Sequence, residues 1–256
     1  MQISDMLLKD SLSYYNNSCN LDFVVKPSLP ILYFGDMTAY FKSDFKVITA
    51  ALNPSDAEFK ESKNSKPSFL RFPEYNYTTE SLKLTLNNYF KKRPYKKWFG
   101  SPKISNSGFL PFINGLGVCY YEGSQKNTAL HTDICSPLAT NPTWSRLKND
   151  EKKRLLKDGL KLWKRLVLEI KPDLILMSLK RESLQLLPID FVNRIVTKKG
   201  KISPKRKQLE YVIDHYKLNL GEFKTNLIWG SAQNTPLQPF PNKKVLGKKI
   251  LNYINS

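Results

Sequence analysis

Three side chains open the chemical reading of this chain: Asn53, His131 and Asp133. Asn53 closes an apolar, β-favouring run over residues 45–52 and is followed by Pro54-Ser55. A buried strand that stops in a Pro-containing turn is typical of the carboxyl ends of a parallel sheet, where open α/β folds hold their ligands. Pro54 keeps Asn53 out of the α region and removes a backbone donor, so the amide is held in a defined direction. Taken alone, Asn-Pro-Ser is either a plain turn or a ligand-facing one. Asp133 lies in TALHTDIC, residues 128–135, a second strand candidate that ends at Ser136-Pro137. An ionised Asp only accepts hydrogen bonds, so it either meets N–H donors of a ligand, caps a turn or pairs with a lysine. His131, two residues earlier, shares its strand face and is either a second pocket group or a core histidine.

The other reactive types are sparse. His131 and His215 are the only histidines, and the three cysteines (Cys19, Cys119, Cys135) are odd in number and widely spaced. Nothing here has zinc spacing or a four-cysteine set, so the reading calls for no metal and no other cofactor. The same cysteine usage argues for reduced thiols in a cytoplasmic protein. No lysine stands in an apolar context of the kind that would favour a Schiff base.

The elements that must position these residues follow in order. A helix is expected over residues 3–15, then an irregular lead-in to residue 30 broken by Pro27 and Pro30. A short apolar run at 31–35 precedes Asp36, and the strand from Val47 follows. Residues 60–80 form a loop rich in Lys, Ser and Pro that carries Phe69, Phe72, Tyr75 and Tyr77. Rings in such a loop are either satellite core or a stacking platform for unstacked bases. Helices are expected over 80–92, 109–116 and 149–170, with Thr143 or Asn149 as the cap of the last. Leu155, Leu156, Leu160, Trp163, Leu166, Val167 and Ile170 recur there at helical spacing, with lysines opposite. A strand at 174–177, a short helix at 180–187, a strand at 226–229 and a basic helix at 242–254 complete the pattern. Residues 190–226 are the least readable stretch; KKGKISPKRK at 198–207 reads as an exposed loop. Strands alternating with helices imply an α/β fold, a single domain over residues 1–256 with a mainly parallel central sheet flanked by helices.

Composition limits the partners. Hydrophobic residues make up 41% and aromatics 12% of 256 residues, enough for a folded core. The longest apolar runs fall far short of the roughly 18 residues that span a bilayer. No basic n-region followed by an apolar stretch marks a signal peptide. A net charge of +19 is either a solubility surface or the footprint of a polyanion. DNA or RNA is the first expectation and an anionic membrane surface a distant second, because no long basic amphipathic helix stands out; DNA, double- or single-stranded, bound by a monomer with no membrane association, is the partner taken forward.

Three strand ends then stand out together: Leu52-Asn53-Pro54-Ser55, His131-Thr132-Asp133 with Ser136-Pro137, and Gly230-Ser231 through Pro236-Leu237. Their order and spacing over residues 30–255 resemble the uracil-DNA glycosylase superfamily. ALNPS at 51–55 is similar to the family's first motif, with Ala51 where Gly is usual. WGSAQNTPLQPF occupies the place of the last motif without its His. The resemblance implies a monofunctional DNA base glycosylase that flips a base into a pocket and hydrolyses its N-glycosidic bond. By the resemblance, Asn53 orients the attacking water through its amide carbonyl, Asp133 and His131 complete the catalytic set, and Phe72 or Phe69 stacks on the flipped base. Leu52 and Asp36 join the base-binding set. Ser55, Ser231, Gln233, Asn234 and Thr235 grip the DNA backbone, and Leu237 is the wedge that fills the vacated stack. Gln233, Asn234 or His131 would stand in for the missing His. Asp133 replaces the Asn common in uracil readers, and an ionised carboxylate accepts from the N4 amino group of a cytosine-type base. The expected substrate is therefore a modified cytosine, of which glycosylated hydroxymethylcytosine in phage DNA is one example. The alternatives are a non-catalytic DNA-binding module on the same fold, a uracil-excising glycosylase, or a hydrolase of free nucleotides.

Overall fold

The computed structural model describes residues 3–92, 94–101, 108–200, 209–230, 236–237, 240 and 242–256. Helices α1 (Asp5–Ser18) and α2 (Met37–Lys42) lead into strand β1 (Val47–Ala51). Three helices follow, α3 (Thr79–Asn87), α4 (Lys96–Phe99) and α5 (Leu110–Gly115). Then come β2 (Val118–Cys119), β3 (Asn127–Asp133), α6 (Asn149–Ile170) and β4 (Leu174–Ser178). Strands β5 (Ile189–Gly200), β6 (Leu209–Leu220) and β7 (Phe223–Gly230) precede the last helix, α7 (Lys243–Asn255).

The seven strands form one mixed sheet in the order β2-β3-β1-β4-β7-β6-β5. Its first five strands are mutually parallel, and β6 and β5 add on antiparallel. All five residues of β1 and of β4 are buried, as expected for central parallel strands covered on both faces. Ala51 pairs with Asp133 and Ser178 with Gly230, so the carboxyl ends of β1, β3, β4 and β7 share one edge. The chain leaves β1 to one side for β3 and returns to the other side for β4. Ligands favour this kind of switch point.

Helix α6 is the crossover from β3 to β4, and it begins and ends where its periodicity predicts. Its buried stripe includes Leu155, Trp163, Leu166, Val167 and Ile170, while Leu156 and Leu160 are only partly covered. Neither Thr143 nor Asn149 caps it. Lys148 occupies that position, and the Glu151 carboxylate accepts the Lys148 backbone N–H at 2.7 Å. Gly159 lets the helix approach the loop after β3, because a Cβ there would sit 2.2 Å from the Cys135 carbonyl oxygen. The Trp163 indole N–H donates to Thr132 Oγ1 at 3.1 Å and ties the helix to the sheet. Helix α1 packs on α6 and α3, and α5 on α7.

The stretch left unread in the sequence is a long hairpin, β5–β6. Bulges between Phe191 and Asn193 and between Arg194 and Val196 break the alternation of two that marks a strand. Phe191 and Val192 are exposed on this edge strand. A wholly buried Asp214 sits between Arg181 (2.6 Å) and Arg194 (2.9 Å), so charge replaces the expected apolar pattern. Ile213 pairs with Gly230, the last described residue of β7. Of the basic run at 198–207, residues 201–207 lie outside the described residues.

Candidate active site

A cavity of about 440 Å³ opens at the shared edge, lined by residues 51–55, Glu58, His131, Asp133 and residues 178–180. Phe34, Tyr95, Trp98, Phe99 and Trp144 supply its aromatic walls.

Asn53 reaches the cavity with its amide clamped. Its Nδ2 donates to the Leu138 carbonyl oxygen (3.1 Å) and to Thr140 Oγ1 (2.9 Å). A carbonyl oxygen only accepts, so the nitrogen must face Leu138 and the orientation of the amide is fixed. Oδ1 has no hydrogen-bond partner among the described residues and remains able to hold a ligand proton. Leu52 and Ser55 also line the cavity. Ser55 Oγ accepts the Ala57 N–H at 3.3 Å, which leaves its own hydrogen available.

His131 and Asp133 project from β3 into the same space. Burial pushes the His131 imidazole down to about 3, so it is neutral. Its Nδ1 lies 2.7 Å from Thr49 Oγ1, which also meets the Tyr120 hydroxyl. Asp133 is 5% exposed and its Oδ1 is buried without a hydrogen-bond partner. The His131 Nε2 is 3.9 Å away, too far for a hydrogen bond. Burial, reinforced by the charge of Glu58, raises the Asp133 carboxyl well above the carboxylate range. This environment favours the protonated carboxyl, which both donates and accepts, over the ionised form expected from the sequence.

Glu58 was not anticipated. It ends the 3-10 turn Asp56–Glu58 that follows the Asn-Pro-Ser segment, and it is 4% exposed. In the sequence, Ser55 followed three residues later by Glu58 reads as a helix-capping pair, which hides a pocket group. The Tyr89 hydroxyl donates to Glu58 Oε2 at 2.5 Å and itself accepts the Tyr95 N–H at 2.8 Å. Burial raises Glu58 to about 7, against the opposing effects of Tyr89 and Arg71.

Several sequence expectations are corrected here. Phe72 is fully buried, in an aromatic core with Phe59 (5.2 Å between centroids), Tyr89 (5.8 Å) and Phe34 (6.3 Å). Phe69 packs edge-on to Phe59, Tyr75 and Tyr77. Neither is among the described residues that line the cavity. The rings that do are Tyr95 with Trp98 and Phe99 of α4, Phe34 from the apolar run at 31–35, and Trp144. Asp36 caps α2 by accepting the Ala39 N–H and faces Lys91, away from the cavity. Leu237 is fully buried against Gly230, with its N–H on Ser178 Oγ at 2.7 Å, so in this state it packs the core and cannot serve as an exposed wedge. Ser231, Gln233, Asn234 and Thr235 lie outside the described residues. Lys243 is buried, and burial lowers it to about 8. Its ammonium donates to the Gly108 and Pro236 carbonyl oxygens, which joins two loops.

No protein-family model, curated protein or solved structure matches the chain. Among the described residues, no cluster of three or more His, Cys, Asp or Glu side chains is placed to hold a metal, and no helix is long and apolar enough to cross a membrane.

Proposed function

We propose that the protein is a monofunctional DNA base glycosylase that takes a flipped, modified cytosine-type base into the cavity and hydrolyses its N-glycosidic bond. The observation that carries this reading is the pairing of a clamped Asn53, its carbonyl oxygen unengaged, with an unpartnered buried carboxyl at Asp133. A buried polar atom without a partner is costly unless a ligand completes it. The aromatic walls suit the faces of a heterocycle. The cavity volume lies in the range of organic-ligand sites and leaves room for a substituent beyond a bare pyrimidine. A neutral Asp133 accepts from N4–H and donates to N3 of a cytosine-type ring. Exposed Lys96, Lys97, Arg146 and Lys180 stand close in sequence or space to the lining residues, as backbone phosphates would require.

A second reading, excision of uracil, draws on the same neutral carboxyl. It can donate to O4 and accept from N3–H, so a protonated Asp133 does not by itself separate the two bases. The test is to incubate the protein with uracil-containing DNA, plain cytosine DNA, and phage DNA carrying glucosylated hydroxymethylcytosine, and to count abasic sites. Sites only in the modified DNA support the proposal, and sites only in uracil DNA support the second reading. Tight DNA binding with no sites in any of them leaves a binding module.

A further inference from the structure

The glycosylase reading leaves one buried pocket group without a role, and the missing motif His leaves one role without a group. Glu58 and Asp133 line the same cavity, and each has a carboxyl oxygen that no described residue engages. Glu58 is held in one orientation by Tyr89, which is in turn fixed by the Tyr95 backbone. We propose that Glu58 and Asp133 act as a base–acid pair, Glu58 taking a proton from the water that Asn53 orients and Asp133 delivering one to the departing base. This rests on the glycosylase reading and adds a general base that the reading lacks.

The step balances without any other reactant. The water oxygen bonds to C1′ of the sugar as its proton passes to the Glu58 carboxylate. The C1′–N bond breaks with its electron pair going to the base, which takes the Asp133 proton. Glu58 ends protonated and Asp133 ionised, and transfer of one proton from the first to the second through cavity water restores both. Two carboxyl groups whose environments hold them in different protonation states are the usual arrangement for acid–base hydrolysis of a glycosidic bond.

The surroundings agree with the assignment. Glu58 accepts the Tyr89 hydroxyl and lies within electrostatic reach of the Arg71 guanidinium, Asp133 and Tyr95. Arg71 and Tyr89 favour its ionised form, and Glu58 titrates near neutrality. Asp133 lies beside His131 and Glu58, no cation among the described residues is paired with it, and burial raises its carboxyl well above the usual range.

The experiment is single-turnover base release across pH 5.5–8.5, on whichever of the three DNAs the parent protein cleaves. The parent rate should rise with pH through about 7. Glu58→Gln should lower it by about 10²–10⁴-fold and abolish that rise. Tyr89→Phe removes a hydrogen bond that favours the ionised form, so the rising limb should move to higher pH; a merely structural change would leave it in place. Asp133→Asn keeps a donor and an acceptor but has no proton to transfer, and should also lose rate by 10²-fold or more, on the same order. Glu58→Gln with the parent's rate and pH profile overturns the pair and leaves the glycosylase reading intact. No release by the parent from any DNA overturns both.

Discussion

Replacing Asn53 by Ala separates catalysis from folding and from DNA binding. The substitution deletes two hydrogen bonds, to Leu138 O and Thr140 Oγ1, and leaves the Leu138 carbonyl without its side-chain donor. At about 0.5–1.5 kcal/mol per bond, with a further penalty for a desolvated acceptor, the cost to stability is about 2–3 kcal/mol. For a chain of this size each kcal/mol lowers Tm by roughly 2–4 °C, so a fall of about 4–12 °C is expected. Loss of the oriented carbonyl oxygen should slow base release by about 100-fold or more in the folded variant. DNA affinity should stay near the parent value, because the rim cations are untouched. Thr140→Val is the control: it removes one clamp partner, leaves Leu138 in place, and should cost only about 1 kcal/mol with a small loss of rate. The assays are thermal unfolding, DNA binding by anisotropy, and single-turnover release below both Tm values. A folded Asn53→Ala protein that releases base at the parent rate refutes the argument.

Other outcomes follow from the same geometry. Gly159→Ala should destabilise by about 1–3 kcal/mol, since its methyl meets the Cys135 carbonyl oxygen at 2.2 Å; thermal unfolding checks it. Phe72→Ala should cost about 3–5 kcal/mol as a core deletion, and Trp144→Ala, which removes a buried ring that also lines the cavity, should both lower stability and weaken binding of base-flipped DNA. The pH dependence of Tm should carry opposed contributions, those of His131 and Glu58 among them. His131, depressed to about 3, destabilises the fold as pH falls below its unfolded value near 6.5, because the unfolded chain then binds the extra proton. Glu58, raised to about 7, does the reverse: its contribution is full below about 4.5 and is lost as pH rises through 7, so Glu58→Gln should flatten the curve in that upper window. Affinity for long DNA should fall steeply between 50 and 200 mM salt, roughly 10³-fold or more if six or more phosphates are contacted.

The parts of this molecule that could be read from sequence are those in which one rule decides. Helix α6 obeys a single amphipathic period, and β1 and β4 are continuous apolar runs because both faces are covered. The turn at Asn53-Pro54 is visible because proline restricts it, and the structure places that turn on the cavity. The β5–β6 hairpin was hidden because its two bulges shift the alternation and because Asp214 is buried by two arginines rather than by apolar neighbours. Aromatic residues were misassigned for a related reason. Sequence shows that rings are abundant but not which way they point: Phe72 turned inward to Phe59 while Phe99, from a lysine-rich turn, reached the cavity. Glu58 and the neutral state of Asp133 depend on burial created by distant segments, which no local pattern records.

The central claim is hydrolysis of an N-glycosidic bond in DNA, and the identity of the released product tests it most directly. DNA with a single glucosylated hydroxymethylcytosine, incubated with the protein and analysed by mass spectrometry, should yield the intact modified base and a strand bearing one abasic site. Recovery of unaltered DNA, with uracil-containing DNA equally untouched, would contradict the account.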